Sequence, residues 1–206
     1  MSTRSTIVSG LFLILLAVSI FFFFYATPKV EPIVEETSQQ TTTTTYTNTE
    51  HGFSVTYPKT FIIDTLYGYQ GFGPQETIKG TSFTVPPSVA TGTNLSSDSY
   101  LSIEYIPKVT TCKAESFLDF ANGAKAYTVI DNGVTYVTAS STGAGVGNRY
   151  EETVYILSGK STCYGIRYFI HYSVLENYPV GLVKEFDKQS LLMSFDTIRR
   201  SLVITQ

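Results

Sequence analysis

Charge is scarce in this sequence. Of its 206 residues only 15% are Asp, Glu, Lys or Arg, the formal net charge is −3, and no block of basic residues occurs. Phosphate binding needs clustered Lys and Arg, so no nucleic-acid partner is expected. No Cys-x-x-Cys occurs, and His51 and His171 are the only histidines, so no metal-ligand set is expected. A Gly-x-Ser-x-Gly elbow is also missing. Either histidine could act as a base only with a nucleophile or substrate within hydrogen-bond reach, and no motif supplies one. No catalytic residue and no cofactor are therefore assigned.

What is abundant is aromatic. Tyr (15) and Phe (14), with Thr and Val, favour strands over helices. The segment "IVSGLFLILLAVSIFFFFYA", residues 7–26, has no charged side chain. About 20 apolar residues are what a helix needs to cross a bilayer. The run is longer than a usual signal-peptide core, and Phe24 stands where cleavage wants a small residue. An uncleaved single-pass anchor is expected, with the membrane as one partner. Residues 1–6, with Arg4, form a short tail. Lys29, on the other side, is offset by Glu31, Glu35 and Glu36. The positive-inside rule puts the amino terminus in the cytoplasm and the rest outside. Residues 27–45, "TPKVEPIVEETSQQTTTTT", cannot bury a core and read as a linker, with a mean span of about 25 Å as a flexible coil.

Cys112 and Cys163 are the only cysteines. An even count outside the cytosol suggests one disulfide, with two buried free thiols as the alternative.

The folded domain is expected over residues 46–206. "FSVTYP" alternates apolar and polar positions and reads as a strand, with "FIIDTLYGY" as its hairpin partner. "TSFTVP" and "YLSIEYIP" are two more strands, each ended by a proline. "KAESFLDFANG" changes period: Phe117, Phe120 and Ala121 fall on one face of a helix, which Gly123 would stop. "KAYTVI", "VTYVTASS", "RYEETVYIL" and "TCYGIRYFIHY" then make a four-stranded antiparallel meander, with turns at 131–133 and 158–160. "FDKQSLLMSFDTIRR" returns to helix, with Leu191, Leu192, Phe195 and Ile198 on one face. Asp187 can cap its start, and Arg199 and Arg200 suit its C-terminal dipole. Strands with helices set apart at two points predict an α+β fold, an antiparallel sheet flanked by helices.

The candidate binding residues lie in the last two strands of the meander: Arg149, Tyr150, Glu152, Arg167 and His171. With a two-residue turn at Gly159 and Lys160, Glu152 would face Arg167; a slip of one residue would put Glu151 there instead. Such a cross-strand pair contributes about 0.2–1 kcal/mol without any catalytic role. The functional alternative is a polar spot ringed by Tyr150, Tyr155, Tyr168 and Tyr172, since Tyr and Arg are favoured in binding surfaces. "GAGVGNR", residues 143–149, leads into a strand and reads as a mobile hairpin loop rather than a phosphate cradle. "NLS", residues 94–96, is a glycosylation sequon by pattern.

The opening "YTNTEHGFSVTYPKTF", residues 46–61, resembles that of PsbP-like domains, and "SLLMSFD", residues 190–196, resembles their closing helix. The resemblance implies an α-β-α sandwich and a non-enzymatic assembly role outside a membrane. It carries over no binding residue. The anchor, the Thr-rich stalk and the cysteine pair depart from the photosynthetic members. The expectation is thus a membrane-anchored extracytoplasmic domain that binds a protein partner or a small ligand. The alternatives are an envelope hydrolase using His171 with Glu152, or a structural envelope component.

Overall fold

Period-two stretches become strands, and one long helix forms where apolar residues recur every three to four positions. The computed structural model describes residues 42–73, 75–109, 111–120 and 123–205. The expected anchor at 7–26 and the linker expected at 27–45, up to residue 41, lie outside the described residues; the linker's last residues, Thr43–Thr45, are instead the start of the first strand, paired with Thr56–Pro58. Among the described residues no helix is long and apolar enough to cross a membrane.

Strands β1 (Thr43–Asn48), β2 (Phe53–Pro58) and β11 (Val203–Ile204) form a small sheet in the order β1-β2-β11. The large sheet has eight strands: β3 (Ile62–Asp64), β4 (Gly68–Tyr69), β5 (Ile78–Thr84), β6 (Tyr100–Pro107), β7 (Tyr127–Asp131), β8 (Val134–Gly145), β9 (Asn148–Ser158) and β10 (Thr162–Ser173). Its order is β3-β5-β6-β10-β9-β8-β7, with β4 beside β5. All strand pairings are antiparallel. Among the described residues the α-helices are a single turn, α1 (Pro87–Ala90), and α2 (Lys188–Arg200). The fold is mostly antiparallel β with few helices, and the expected meander is present as β7-β8-β9-β10.

Three expectations need correction. "FSVTYP" does not pair with "FIIDTLYGY": β2 lies between β1 and β11, and β3 pairs with β5 instead. The short connection after Pro58 is followed by a strand that joins the other sheet. The helix expected at 113–123 is a single 3-10 turn, Ala114–Ser116. Phe117 and Leu118 are buried, but against a sheet rather than along a helix face. The second helical layer of the α-β-α arrangement is thus replaced, among the described residues, by an irregular segment.

The two faces of the large sheet bury two cores. One face packs against α2 and the small sheet, through Leu191, Phe195, Ile198, Phe53 and Val55. Each such apolar side chain contributes roughly 1.5–3 kcal/mol when fully buried. Asp187 caps α2 by accepting a hydrogen bond from the Ser190 amide at 3.0 Å, as its position implied. The other face carries Ala114, Phe117 and Leu118 over Ala139, Val154 and Ile156. Gly165 in β10 makes this possible, because a Cβ there would lie 2.4 Å from the Phe117 ring.

Two hairpins close on residues with positive φ, as two-residue turns of right-handed sheets require. Asn132 and Gly133 have φ of 50° and 79°; Val146 and Gly147 have 49° and 78°. The glycine-rich run is therefore the hairpin connection expected of it, closed as a tight two-residue turn between β8 and β9. A β-branched residue is costly in this conformation, and Val146 is fully exposed, with nothing to offset the strain. Val146→Asn should stabilise the protein by about 1 kcal/mol. The check is a higher urea midpoint at unchanged slope.

The sequon at Asn94 is structural. Its Nδ2 donates to the Ser173 carbonyl at 2.8 Å and its Oδ1 accepts from the Phe186 amide at 2.9 Å. The side chain is buried and ties the end of β10 to the approach to α2.

Candidate functional site

Register decides which of the candidate residues share a face. Ser158 pairs with Cys163, so four residues, not two, lie between them. Arg167 then stands opposite Val154 in β9 and Ser102 in β6, while Glu152 stands opposite Phe169. Neither expected opposite pairing occurs. Strand alternation puts Tyr150, Glu152, Arg167 and His171 on one face and Arg149 on the other. Arg149 pairs across with Tyr172, and its Nη1 donates to the Asn148 carbonyl at 3.1 Å.

Arg167 still finds Glu152, on the diagonal: Nη1 donates to Oε2 at 2.5 Å. Its main partner is Glu104, the other diagonal neighbour. Nε and Nη2 donate to the two Glu104 oxygens at 2.7 and 2.9 Å, and Nη2 also donates to the Phe117 carbonyl. The Tyr69 ring covers the guanidinium at 3.4 Å, and the Tyr69 hydroxyl donates to Glu152 Oε2 at 3.1 Å. Ser102 and Tyr67 hydroxyls donate to Glu104 Oε1 at 2.9 and 3.2 Å. Arg167 and Glu104 are completely buried. Burial alone would make the guanidinium less basic; the Glu104 carboxylate outweighs it and raises its pKa. Burial likewise raises the pKa of Tyr67 and Tyr69, and pushes Tyr100 up to about 12. Arg167 is a rivet within the sheet, with four of its five N–H donors committed and the Tyr69 ring over its guanidinium.

Sequence reasoning missed Glu104, Ser102, Tyr67, Tyr69 and Tyr100. One signal was present: in "YLSIEYIP" the alternation places Ser102 and Glu104 on the same face of a strand flanked by apolar residues. A carboxylate there must find a cation.

Three of the four tyrosines assigned to the ring around the site belong elsewhere. Tyr155 and Tyr168 point to the α2 face, where they surround a second buried cation, Arg199. Its guanidinium lies 4.3 Å from the Tyr155 ring, and its Nε donates to the Tyr168 hydroxyl at 2.8 Å. Its Nη2 donates to Asp131 and Asp196 at 2.6 and 2.9 Å. Tyr172 also faces that side, donating to Glu151, which pairs with Lys188.

Beyond the rivet the same face carries a row of half-buried rings. Tyr100 stacks on Phe169 with centroids 5.0 Å apart; Phe169 lies 6.2 Å from Tyr150; Tyr150 stacks on His171 at 4.5 Å and 20°. His171 Nδ1 faces both Asp98 oxygens, at 2.8 and 3.0 Å, and its Nε2 is buried without a hydrogen-bond partner. His171 and Glu152 thus take different partners, and the buried Nε2 is not presented to a substrate. Stacking, with the Asp98 bond to His171, holds the rings in one row. Among the described residues no cluster of three or more His, Cys, Asp or Glu side chains could hold a metal.

No protein-family model matches the chain, and no curated protein matches it by sequence. It is similar to three solved structures at low identity. A cyanobacterial PsbP from Synechocystis is 13% identical over 80% of this chain and 93% of that one, with a TM-score of 0.43. A protein from Bacteroides thetaiotaomicron is 10% identical over 79% of this chain and 48% of that one, at 0.44. The Ran-binding protein Mog1p of Saccharomyces cerevisiae is 10% identical over 81% of this chain and 97% of that one, at 0.46.

Proposed function

We propose that this chain is a membrane-anchored, extracytoplasmic binding or assembly domain, non-enzymatic, which engages a protein partner through the row Tyr100–Phe169–Tyr150–His171. The observation that carries the reading is the row itself: four half-buried rings held by mutual stacking and by Asp98. Large rigid side chains of this kind contribute most to binding hot spots, because little side-chain entropy remains to be lost. The bonded pair Cys112–Cys163 supports a place outside the cytosol, and the apolar run at 7–26 supports an anchor.

The test is crosslinking of the full-length protein in its native membrane, followed by mass spectrometry. The expected result is one reproducible partner linked through residues 140–172. Tyr150→Ala should weaken its capture about thirtyfold, the loss of a hot spot of about 2 kcal/mol, while lowering stability only by the lost stacking, about 0.5–1.5 kcal/mol. Undiminished capture by Tyr150→Ala would take the row out of the reading. No partner above background would turn the search to small ligands.

A further inference from the structure

A separate cleft of about 1130 Å³ opens where the two sheets meet. Tyr46, Thr47 and Asn48, consecutive residues of β1, line one wall; Ile78, Lys79 and Gly80 of β5 line the other. These residues end β1, and the lining continues through the turn residues Thr49–His51, so the end of the small sheet borders the cleft. Among the described residues β1 pairs with β2 alone, leaving its outer edge open. Proteins guard such edges with Lys, Pro or bulges. "TTTYTN" has no Lys or Pro and pairs residue for residue, without a bulge.

The chemistry of the walls selects the occupant. Glu76 and Glu115, both exposed, line the cleft with Lys79. Tyr105, with His51 stacked on it at 3.6 Å, adds an aromatic wall. Carboxylates beside aromatic faces favour a cation over an anion. We propose that the cleft takes an extended peptide segment with basic side chains, which adds as a further strand to the free edge of β1. Backbone hydrogen bonds to β1 hold the segment, and its Lys or Arg side chains reach the carboxylates and rings. β1 offers about 20 Å of edge, enough for six residues. The cleft meets the aromatic row's surroundings only at Tyr67, so failure of either reading leaves the other standing.

The test uses the full-length protein in detergent micelles and fluorescence anisotropy of a labelled eight-residue peptide alternating lysine and valine. The peptide should bind, its Glu–Val counterpart should not, and Glu76→Gln with Glu115→Gln should weaken binding about tenfold. Both glutamates are exposed, so the substitution leaves the fold intact. A strand shows alternate amides to each neighbour. N-methylation of one alternate set of residues should therefore abolish binding, and of the other set should not. Absence of binding, equal binding of the Glu–Val peptide, or tolerance of both methylation patterns would each overturn the proposal.

Discussion

Arg167→Ala should lower the unfolding free energy by about 3–5 kcal/mol, the cost of leaving a buried charge without its partner. Glu104 is completely buried, and Arg167 supplies two of its hydrogen bonds. Ser102 and Tyr67 would remain as donors, and two neutral hydroxyls do not balance a carboxylate. Glu152 loses less, because its side chain is 19% exposed and water can replace the guanidinium. Glu152→Gln should therefore cost well below the Arg167→Ala figure. Arg167→Met with Glu104→Leu should recover most of the loss, since a buried pair replaced by apolar side chains is often neutral in stability. Urea unfolding of the three variants decides the matter. An Arg167→Ala loss below about 1 kcal/mol would mean that Glu104 is not held as a buried carboxylate. Normal stability with lost partner capture would instead return Arg167 to the binding surface.

The meander, the last helix and its Asp187 cap were legible because each rests on local pattern: alternation, helical spacing, a capping residue before an apolar run. The Asn132–Gly133 turn was legible for the same reason. What the sequence hid were facts of tertiary origin. A loop of four residues rather than two between Ser158 and Cys163 shifts the strand register, and with it every cross-strand neighbour of Arg167. The diagonal partner Glu104 comes from a strand some 60 residues earlier (|i−j| = 63), beyond any local rule. The false helix at 113–123 has a similar cause. Phe117, Phe120 and Ala121 carry helical spacing, but Phe117 is placed by the gap over Gly165 and by Arg167 Nη2, not by its neighbours in sequence. Of the candidate residues, Tyr150 and His171 belong to the open row, Arg167 and Glu152 to the rivet, and Arg149 to the opposite face. Charge and aromatic content gave their neighbourhood; burial, which divides them, depends on what packs above.

Replacing both Cys112 and Cys163 by alanine should lower stability by about 4 kcal/mol, the chain-entropy estimate for a loop of this size. The bridge joins positions 51 residues apart, and most of its effect is exerted on the unfolded chain. Part of the effect should also be local. On one face of β10, Cys163, Gly165 and Arg167 succeed one another at alternate positions, and all three fasten the 112–117 segment: by the disulfide, by the space for the Phe117 ring, and by the bond to the Phe117 carbonyl. Removing the bridge leaves two fasteners, so amides of residues 111–120 should exchange faster than the rest of the sheet. The losses from the cysteine pair and from Arg167→Ala should not add, because both act on one segment. Denatured, unreduced protein should show no reactive thiol, and reduction should release two. Full additivity, with unchanged exchange at residues 111–120, would mean that the bridge acts on the unfolded chain alone and that Arg167 holds the sheet without holding the segment above it.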